Sequence, residues 1–133
     1  MSIVEFLLAR IGDDELIARE TADAFPEPYE VADRGHMARL YWNGADFPTM
    51  KVEQDETPNG DGDPGAPLHH LARFGPARVR RECAAKRELL DMADPYDFAD
   101  DGGTGMSVHA HRIHRILAAV YADHPDYDEA WRP

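Results

Sequence analysis

The apolar residues near the start of the chain recur at intervals of three and four positions, which is the spacing of one face of an α-helix. These positions are Val4, Leu7, Leu8, Ile11, Ala18, Ala22 and Phe25. Ser2 and Glu5 have the spacing of a capping box, in which each side chain accepts a hydrogen bond from the other residue's backbone N–H. We therefore predict a first helix over residues 3–24 that ends before the Phe-Pro-Glu-Pro segment.

Between residues 29 and 54 the pattern changes to short apolar runs that are separated by turn residues. The apolar positions are Tyr29, Val31, Met37, Leu40, Tyr41, Trp42, Phe47, Met50 and Val52. Asp33-Arg34-Gly35 and Asn43-Gly44 are the turn signals between them. We predict two or three short strands in an antiparallel meander, with Asn43-Gly44 as a two-residue type I′ hairpin turn.

The rest of the chain predicts two further main helices. Pro76 suits the first position of a helix that ends near Ala93. Its buried stripe would contain Val79, Cys83, Lys86 and Leu90. The segment LHHLARF before Pro76 is a candidate for a short helix of its own. The last helix is expected over about residues 107–122. We expect four of its side chains to enter the core, namely Ile113, Ile116, Leu117 and Val120.

These elements predict a single domain over residues 1–133 of the α+β class. It would contain about three main helices, with a small antiparallel β meander between helix 1 and helix 2. Residues 55–67 and 94–106 are rich in Gly, Pro and Asp and should form exposed loops.

The charge balance limits the partners that this chain can have. It contains 26 acidic and 14 basic residues, for a net charge of −12. Charge of that sign repels nucleic acid and anionic membranes and suits a basic protein partner. The sequence has no apolar run of membrane-spanning length and no signal-peptide pattern, and its single cysteine fits a reducing compartment. We expect a cytoplasmic protein that binds another protein, with no nucleic acid and no membrane as partner.

Basic residues nevertheless concentrate in one region of the chain. They are Arg73, Arg78, Arg80, Arg81, Lys86 and Arg87. A helix this basic could contact RNA or DNA, but its arginines spread around the helical wheel, which favours ion pairs with the abundant carboxylates. Arg80 and Arg87 are candidate interaction residues. Lys86 falls in the apolar stripe, where we expect it to extend its amine to solvent or to pair with a carboxylate of the first helix or the tail.

Three histidines within six residues raise the question of a metal site. On a helical wheel His109 lies near the apolar face, whereas His111 and His114 lie together on its flank. Only that pair could share a metal ion, and zinc would require one or two further ligands that the fold would have to supply. The candidate metal ligands are His69, His70, His111 and His114. We expect ordinary histidines and no cofactor, with a zinc-binding domain or a small metal-dependent enzyme as the alternative.

Three segments carry a resemblance to a known family. The tail YADHPDYDEAWRP (121–133) is the most specific, and IVEFLLARIGDDE (3–15) and HLARFGPARVRRECAAKRELLD (70–91) occur in the matching order. Together they resemble a family of small uncharacterised proteins from actinobacteria and their phages. The resemblance implies an actinobacterial or phage origin and a cytoplasmic accessory role, and it implies no activity.

Function is therefore expected to be interaction rather than catalysis. The aromatic residues Tyr121, Tyr127 and Trp131 can anchor the end of the chain by packing back on the helices. Tyr127 and Trp131 are also candidate interaction residues. No nucleophile and base stand out as a catalytic arrangement. We expect a non-enzymatic acidic protein, encoded by or derived from a phage, that binds a host or phage protein.

Overall fold

The computed structural model of the chain describes residues 1–57, 60, 62–93 and 108–133. In chain order its elements are α1 (Ile3–Ala24), β1 (Glu30–Asp33), β2 (Met37–Tyr41), β3 (Met50–Glu53), α2 (Gly65–Arg73), α3 (Pro76–Met92) and α4 (Val108–Ala118). Short 3-10 turns occur at Gln54–Glu56, Ala119–Tyr121 and Glu129–Trp131. The prediction of an α+β fold with a small antiparallel sheet between the first two helices is confirmed.

The chain divides into two compact units. The terminal unit consists of residues 1–15 and 81–133, and the central unit consists of residues 16–80. The boundary between them falls within α1 and within α3, so each of these helices contributes residues to both units. The expectation of a single domain stays a prediction.

The predicted capping box starts α1. The Ser2 N–H donates to Glu5 Oε2 at 2.7 Å, and the Glu5 N–H donates to Ser2 Oγ at 3.2 Å. The hydrogen bond from the Ser2 backbone, followed by that from its side chain, lowers the pKa of Glu5. These bonds satisfy donors that a helix start otherwise leaves without partners. The predicted helix over residues 3–24 is confirmed.

The three strands form an antiparallel sheet in the order β1-β2-β3. Glu30 pairs with Tyr41 across the first strand pair, and Leu40 pairs with Met50 across the second. The tight turn of the meander is at Gly35, whose φ of 79° is costly for other residues. Its N–H donates to Asp33 Oδ1 at 3.0 Å, which closes the turn.

The prediction of a two-residue hairpin at Asn43-Gly44 is wrong. Gly44 does have a positive φ of 76°, but β2 and β3 are joined by the whole segment 42–49. The Asn43 N–H donates to the Pro26 carbonyl at 3.0 Å, so the turn is tied to the segment before β1. Sheet pairing resumes only where the Thr49 N–H donates to the Leu40 carbonyl at 2.8 Å.

The core of the central unit lies between the sheet and α2, which packs across all three strands. Ala38, Leu40 and Leu68 are its buried residues, and Tyr29, Val31, Val52 and Ala72 pack against them. Full burial of a leucine such as Leu68 contributes about 1.5–3 kcal/mol. The candidate short helix in LHHLARF is confirmed as part of α2.

The predicted loop over residues 55–67 is too long at its C-terminal end. Pro64 and Gly65 are buried, and α2 already begins at Gly65. Gly65 fits there because it has no side chain: a Cβ would overlap Asp33 Oδ2. Residues 58, 59 and 61 of that loop, and the whole predicted loop over 94–106, lie outside the described residues.

In the terminal unit, the core side of α4 differs from the expected one. The buried residues are Ala110, His114, Leu117 and Ala118, whereas Ile116 and Val120 are 52% and 61% exposed. The prediction that both side chains enter the core is therefore wrong. Ile116 lies within α4 but away from the side that Ala110, His114 and Leu117 bury at intervals of three and four residues. Val120 lies beyond the end of the α-helix at Ala118, in a 3-10 turn that moves it away from its α-helical wheel position. On α3 the predicted stripe is confirmed, since Cys83 and Leu90 are buried.

Two glycine substitutions test the close approach at the start of α2. Gly65→Ala should lower the free energy of unfolding by about 1–3 kcal/mol, because Asp33 would have to leave its bond to Gly35. Gly12→Ala is the control, since no described atom other than its chain neighbours and the backbone of its own helix lies within 4 Å of the position that its new Cβ would take. In the middle of α1 it should raise stability by up to about 1 kcal/mol. Chemical denaturation measures both, and equal effects would contradict the prediction.

Candidate functional site

An apolar groove in the central unit is the most distinctive surface of the described chain. It has a volume of about 280 Å³. Its large lining side chains are Phe25, Tyr29, Trp42, Met50, Leu71 and Phe74. Phe25, Met50, Leu71 and Phe74 are each 41–44% exposed although they face one concavity. An exposed cluster of this kind marks a binding surface more often than scattered apolar residues do.

The groove forms where the ends of several elements meet. Phe25 directly follows α1, and its N–H donates to the Thr21 carbonyl at 2.8 Å. The Tyr29 hydroxyl then donates to the Phe25 carbonyl at 3.0 Å, which fixes the segment before the sheet. Leu71 comes from α2, and Phe74 caps that helix through a bond from its N–H to the His70 carbonyl.

Gly75 allows one wall of the groove to close. A Cβ at this buried residue would overlap Glu27 Oε1 and would lie 3.3 Å from Tyr29 Cε2. The other carboxylate oxygen, Glu27 Oε2, accepts from the Ala77 N–H at 2.8 Å in the first turn of α3. Burial, followed by the charge of Glu27, raises the pKa of Tyr29. A carboxylate is thus held beside an apolar concavity.

Phe74 is held in place by two neighbouring side chains. The His70 ring stacks on it with centroids 4.6 Å apart, and the Arg78 guanidinium lies 3.9 Å from the ring centroid. Such contacts orient an exposed aromatic ring.

A second concavity, here called the polar pocket, shares Trp42 with the groove. It has a volume of about 230 Å³, and its lining includes Glu30, Tyr41, Asn43 and Gly44. Glu30 and Tyr41 are paired residues on β1 and β2, so their side chains lie on the same face of the sheet. Leu40, the neighbour of Tyr41, is buried under α2, so Tyr41 and Glu30 belong to the opposite face.

The structure distributes the candidate metal ligands over both units. In the central unit, His69 Nε2 lies 3.5 Å from Asp33 Oδ2, and His70 stacks on Phe74. In the terminal unit, His111 is exposed and His114 is buried. In the part of the chain that the structure describes, no group of three or more His, Cys, Asp or Glu side chains is arranged to hold a metal ion. The zinc alternative stays a prediction.

The expected placement of the helix histidines is wrong in one respect. His109 is exposed rather than near the core, and His114 is the buried histidine of α4. Both follow from the same change in the buried side of α4, on which Ala110, His114 and Leu117 lie three and four residues apart.

The candidate arginines differ in their surroundings. Arg87 forms a bidentate ion pair with Glu15, in which Nε donates to Oε1 at 3.0 Å and Nη2 donates to Oε2 at 2.8 Å. These hydrogen bonds raise the pKa of Arg87. The expectation of ion pairing is confirmed for this residue. Arg80 is exposed on α3, and the interaction role of both residues stays a prediction.

Lys86, Tyr121 and Asp14 form a hydrogen-bonded group in the terminal unit, here called the polar triad. Lys86 Nζ donates to the Tyr121 hydroxyl at 2.8 Å, and that hydroxyl donates to Asp14 Oδ2 at 2.7 Å. Lys86 Nζ also lies 3.7 Å from the same carboxylate oxygen. The expectation that Lys86 pairs with a carboxylate of the first helix is confirmed. Cys83 is buried on the same helix as Lys86, and this burial, followed by the charge of Asp14, raises the pKa of its thiol.

The C-terminal tail packs back on α1. Phe6 is fully buried, and the centroids of the Tyr127 and Trp131 rings lie 6.2 Å and 5.0 Å from that of Phe6. The Arg10 guanidinium holds the tail through His124 and an ion pair to Asp126 at 3.7 Å. The predicted packing of these aromatic residues is confirmed, whereas their role in binding a partner stays a prediction.

Sequence reasoning did not identify the groove. In the sequence, Phe25 continues the apolar face of the predicted first helix, and Leu71 and Phe74 belong to the candidate short helix LHHLARF. One available signal was that apolar residues fall at helix ends beside proline and glycine, at Phe25-Pro26 and Phe74-Gly75-Pro76. Such residues lie where a helix stops and often remain partly exposed.

The comparisons with known proteins identify the family. The model of a family of unknown function (DUF6221) matches residues 1–133, and the chain belongs to that family. No curated protein and no solved structure matches the chain. Among the described residues, no helix has the length and apolar character that crossing a membrane requires.

Alkaline pH tests the polar triad. Burial, followed by the hydrogen bond to Asp14 and its charge, raises the pKa of Tyr121 far above its ordinary value of 10.0. A raised pKa in the folded state gives stability that is fully present below about pH 10 and is lost as the pH rises through the folded value. The free energy of unfolding in urea should therefore fall more steeply between about pH 9 and pH 11 for the wild type than for Tyr121→Phe. Parallel curves for the two proteins would contradict this.

Proposed function

We propose that this member of the family is a non-enzymatic accessory protein that binds another protein through the apolar groove. The observation that carries the proposal is the set of four large apolar side chains, each 41–44% exposed, around one concavity. Exposure of such a cluster to water is unfavourable. A partner that covers it gains a free energy of about 25 cal/mol for each Å² of apolar surface removed from water. An actinobacterial or phage origin and a cytoplasmic location belong to the same proposal, on the basis of the tail segment over residues 121–133.

The size of the groove favours a peptide segment as the occupant. A volume of about 280 Å³ lies just below the range of sites that enclose whole cofactors or drug-sized ligands. It accommodates one or two large apolar side chains. In many protein–protein interfaces a few buried side chains provide most of the affinity. Truncation of such a side chain to alanine commonly costs about 2 kcal/mol or more of binding free energy.

The charge of the chain favours a basic partner segment. A net charge of −12 attracts cationic segments and increases their association rate. At the groove itself, the carboxylate of Glu27 is fixed beside Gly75. The basic side chains of Arg78 and His70 contact Phe74, which lines the groove. We therefore propose a segment with a large apolar side chain next to lysine or arginine.

The polar groups in the groove suit orientation rather than chemistry. They include the hydroxyls of Thr21, Tyr29 and Thr49. The Tyr29 hydroxyl already donates to the Phe25 carbonyl, and its raised pKa keeps it protonated at neutral pH. A protonated phenol in this position can accept a hydrogen bond from a bound peptide but cannot act as a base.

Selection from a random linear peptide library tests the proposal. The full-length wild type is compared with Leu71→Gln, which places an amide in the groove, and with Ile17→Gln as the matched control. Ile17 is 62% exposed on α1 and does not line the groove. We expect the wild type and Ile17→Gln to select the same peptides, which carry a large apolar residue next to a basic one. Leu71→Gln should bind those peptides at least about tenfold more weakly by calorimetry.

Three outcomes would overturn the proposal. The first is that no peptide is enriched above the level on a bare support. The second is that Leu71→Gln binds the selected peptides as tightly as Ile17→Gln does. The third is that the selected peptides carry acidic rather than basic flanking residues. Circular dichroism of both variants shows whether they are folded, and an unfolded Leu71→Gln would be replaced by Met50→Gln, a groove residue with the same exposure of 44%.

A further inference from the structure

The polar pocket beside the groove combines three groups that attract a cation. Glu30 supplies an exposed carboxylate, and Tyr41 and Trp42 supply aromatic rings around a volume of about 230 Å³. The face of an aromatic ring carries negative potential. A cation in this pocket is therefore attracted by the aromatic rings as well as by the carboxylate. Within the described residues, Glu30 forms no ion pair, which leaves its carboxylate available.

We infer that this pocket binds the lysine or arginine side chain of the same partner segment whose apolar side chain fills the groove. The inference rests on the proposed function and specifies its partner. Trp42 lines both concavities. One part of the Trp42 indole can therefore contact the apolar side chain of the partner while another part of the indole contacts its basic side chain. These two side chains are expected to be close together in the partner's sequence.

The backbone explains why the two concavities adjoin. Along β2, side chains alternate between the face covered by α2 and the opposite face, so Leu40 and Tyr41 point to different sides. Trp42 follows the last residue of β2 and stands where the strand leaves the sheet. The bond from the Asn43 N–H to the Pro26 carbonyl at 3.0 Å fixes the chain directly after it.

Arg39, a cation on the same face of the sheet, does not line the pocket. Arg39 lies two residues before Tyr41, and its Nη2 lies 3.6 Å from Met37 Sδ, toward the start of the strand. The pocket lies at the other end of β2, where its lining residues are Tyr41 to Ala45 with Pro28 and Glu30. A basic side chain of a partner can therefore enter without displacing Arg39.

Three small probes of equal chain length test the inference on the full-length protein. They are octylammonium, octanol and octanoate, which share an alkyl chain for the groove and differ in the charge of the head group. Binding is followed by the NMR signal of the Trp42 indole N–H, which the variant Trp42→Phe distinguishes from that of Trp131. We expect octylammonium to bind about three- to tenfold more tightly than octanol, and octanoate to bind most weakly.

Two charge-matched variants locate the effect. Glu30→Gln should weaken octylammonium about three- to tenfold and leave octanol unchanged. Asp55→Asn removes the same charge from an exposed position outside both concavities and should change neither probe. Equal affinities of the three probes, or equal effects of the two variants, would overturn the inference while the proposed apolar groove remained. Absence of any Trp42 shift with all three probes would contradict the inference and the proposed groove together.

Discussion

The terminal unit depends on the two hydrogen bonds of the Tyr121 hydroxyl group. This hydroxyl donates to Asp14 of α1 and accepts from Lys86 of α3, so it joins the chain after α4 to two other helices at once. Partly buried polar groups of this kind are costly when a partner is removed, because the remaining charge is left without its hydrogen bond. The same ring lies 6.3 Å from the Phe6 centroid, and the tail that follows it packs on Phe6 through Tyr127 and Trp131.

This constraint explains why α4 does not bury its most hydrophobic side. While Tyr121 is bonded to Asp14 and Lys86, the helix before it presents Ala110, His114, Leu117 and Ala118 to the interior. Small alanines allow close helix packing, and Ile116 and Val120 remain largely exposed as a consequence. A helical wheel places residues by sequence position and hydropathy alone. It therefore cannot include the hydrogen bonds that the Tyr121 hydroxyl makes with Asp14 and Lys86.

Local rules therefore predicted the elements well and the placement of their side chains less well. The capping box at Ser2 and the helix over residues 3–24 depend only on neighbours in sequence, and both are confirmed. The turn at Asn43-Gly44 has the expected positive φ, but Pro26, which is distant in sequence, determines what the turn connects. The groove was missed for the same reason, since Phe25, Trp42 and Leu71 come together only when the sheet and two helix ends are in place.

The central unit shows how a small core can position an exposed apolar surface. Leu68, Leu40 and Ala38 fill the space between α2 and the sheet, so the larger side chains at the ends of these elements have no interior left to enter. Gly75 lets Glu27 approach the groove wall, and Glu27 is in turn held by the first turn of α3. Met50, Leu71 and Phe74 lie around the groove rather than in this core, and each is 41–44% exposed. The proposed partner would meet a concavity in which Tyr29 and Phe74 already have contacts within the chain, which would limit the ordering cost of binding.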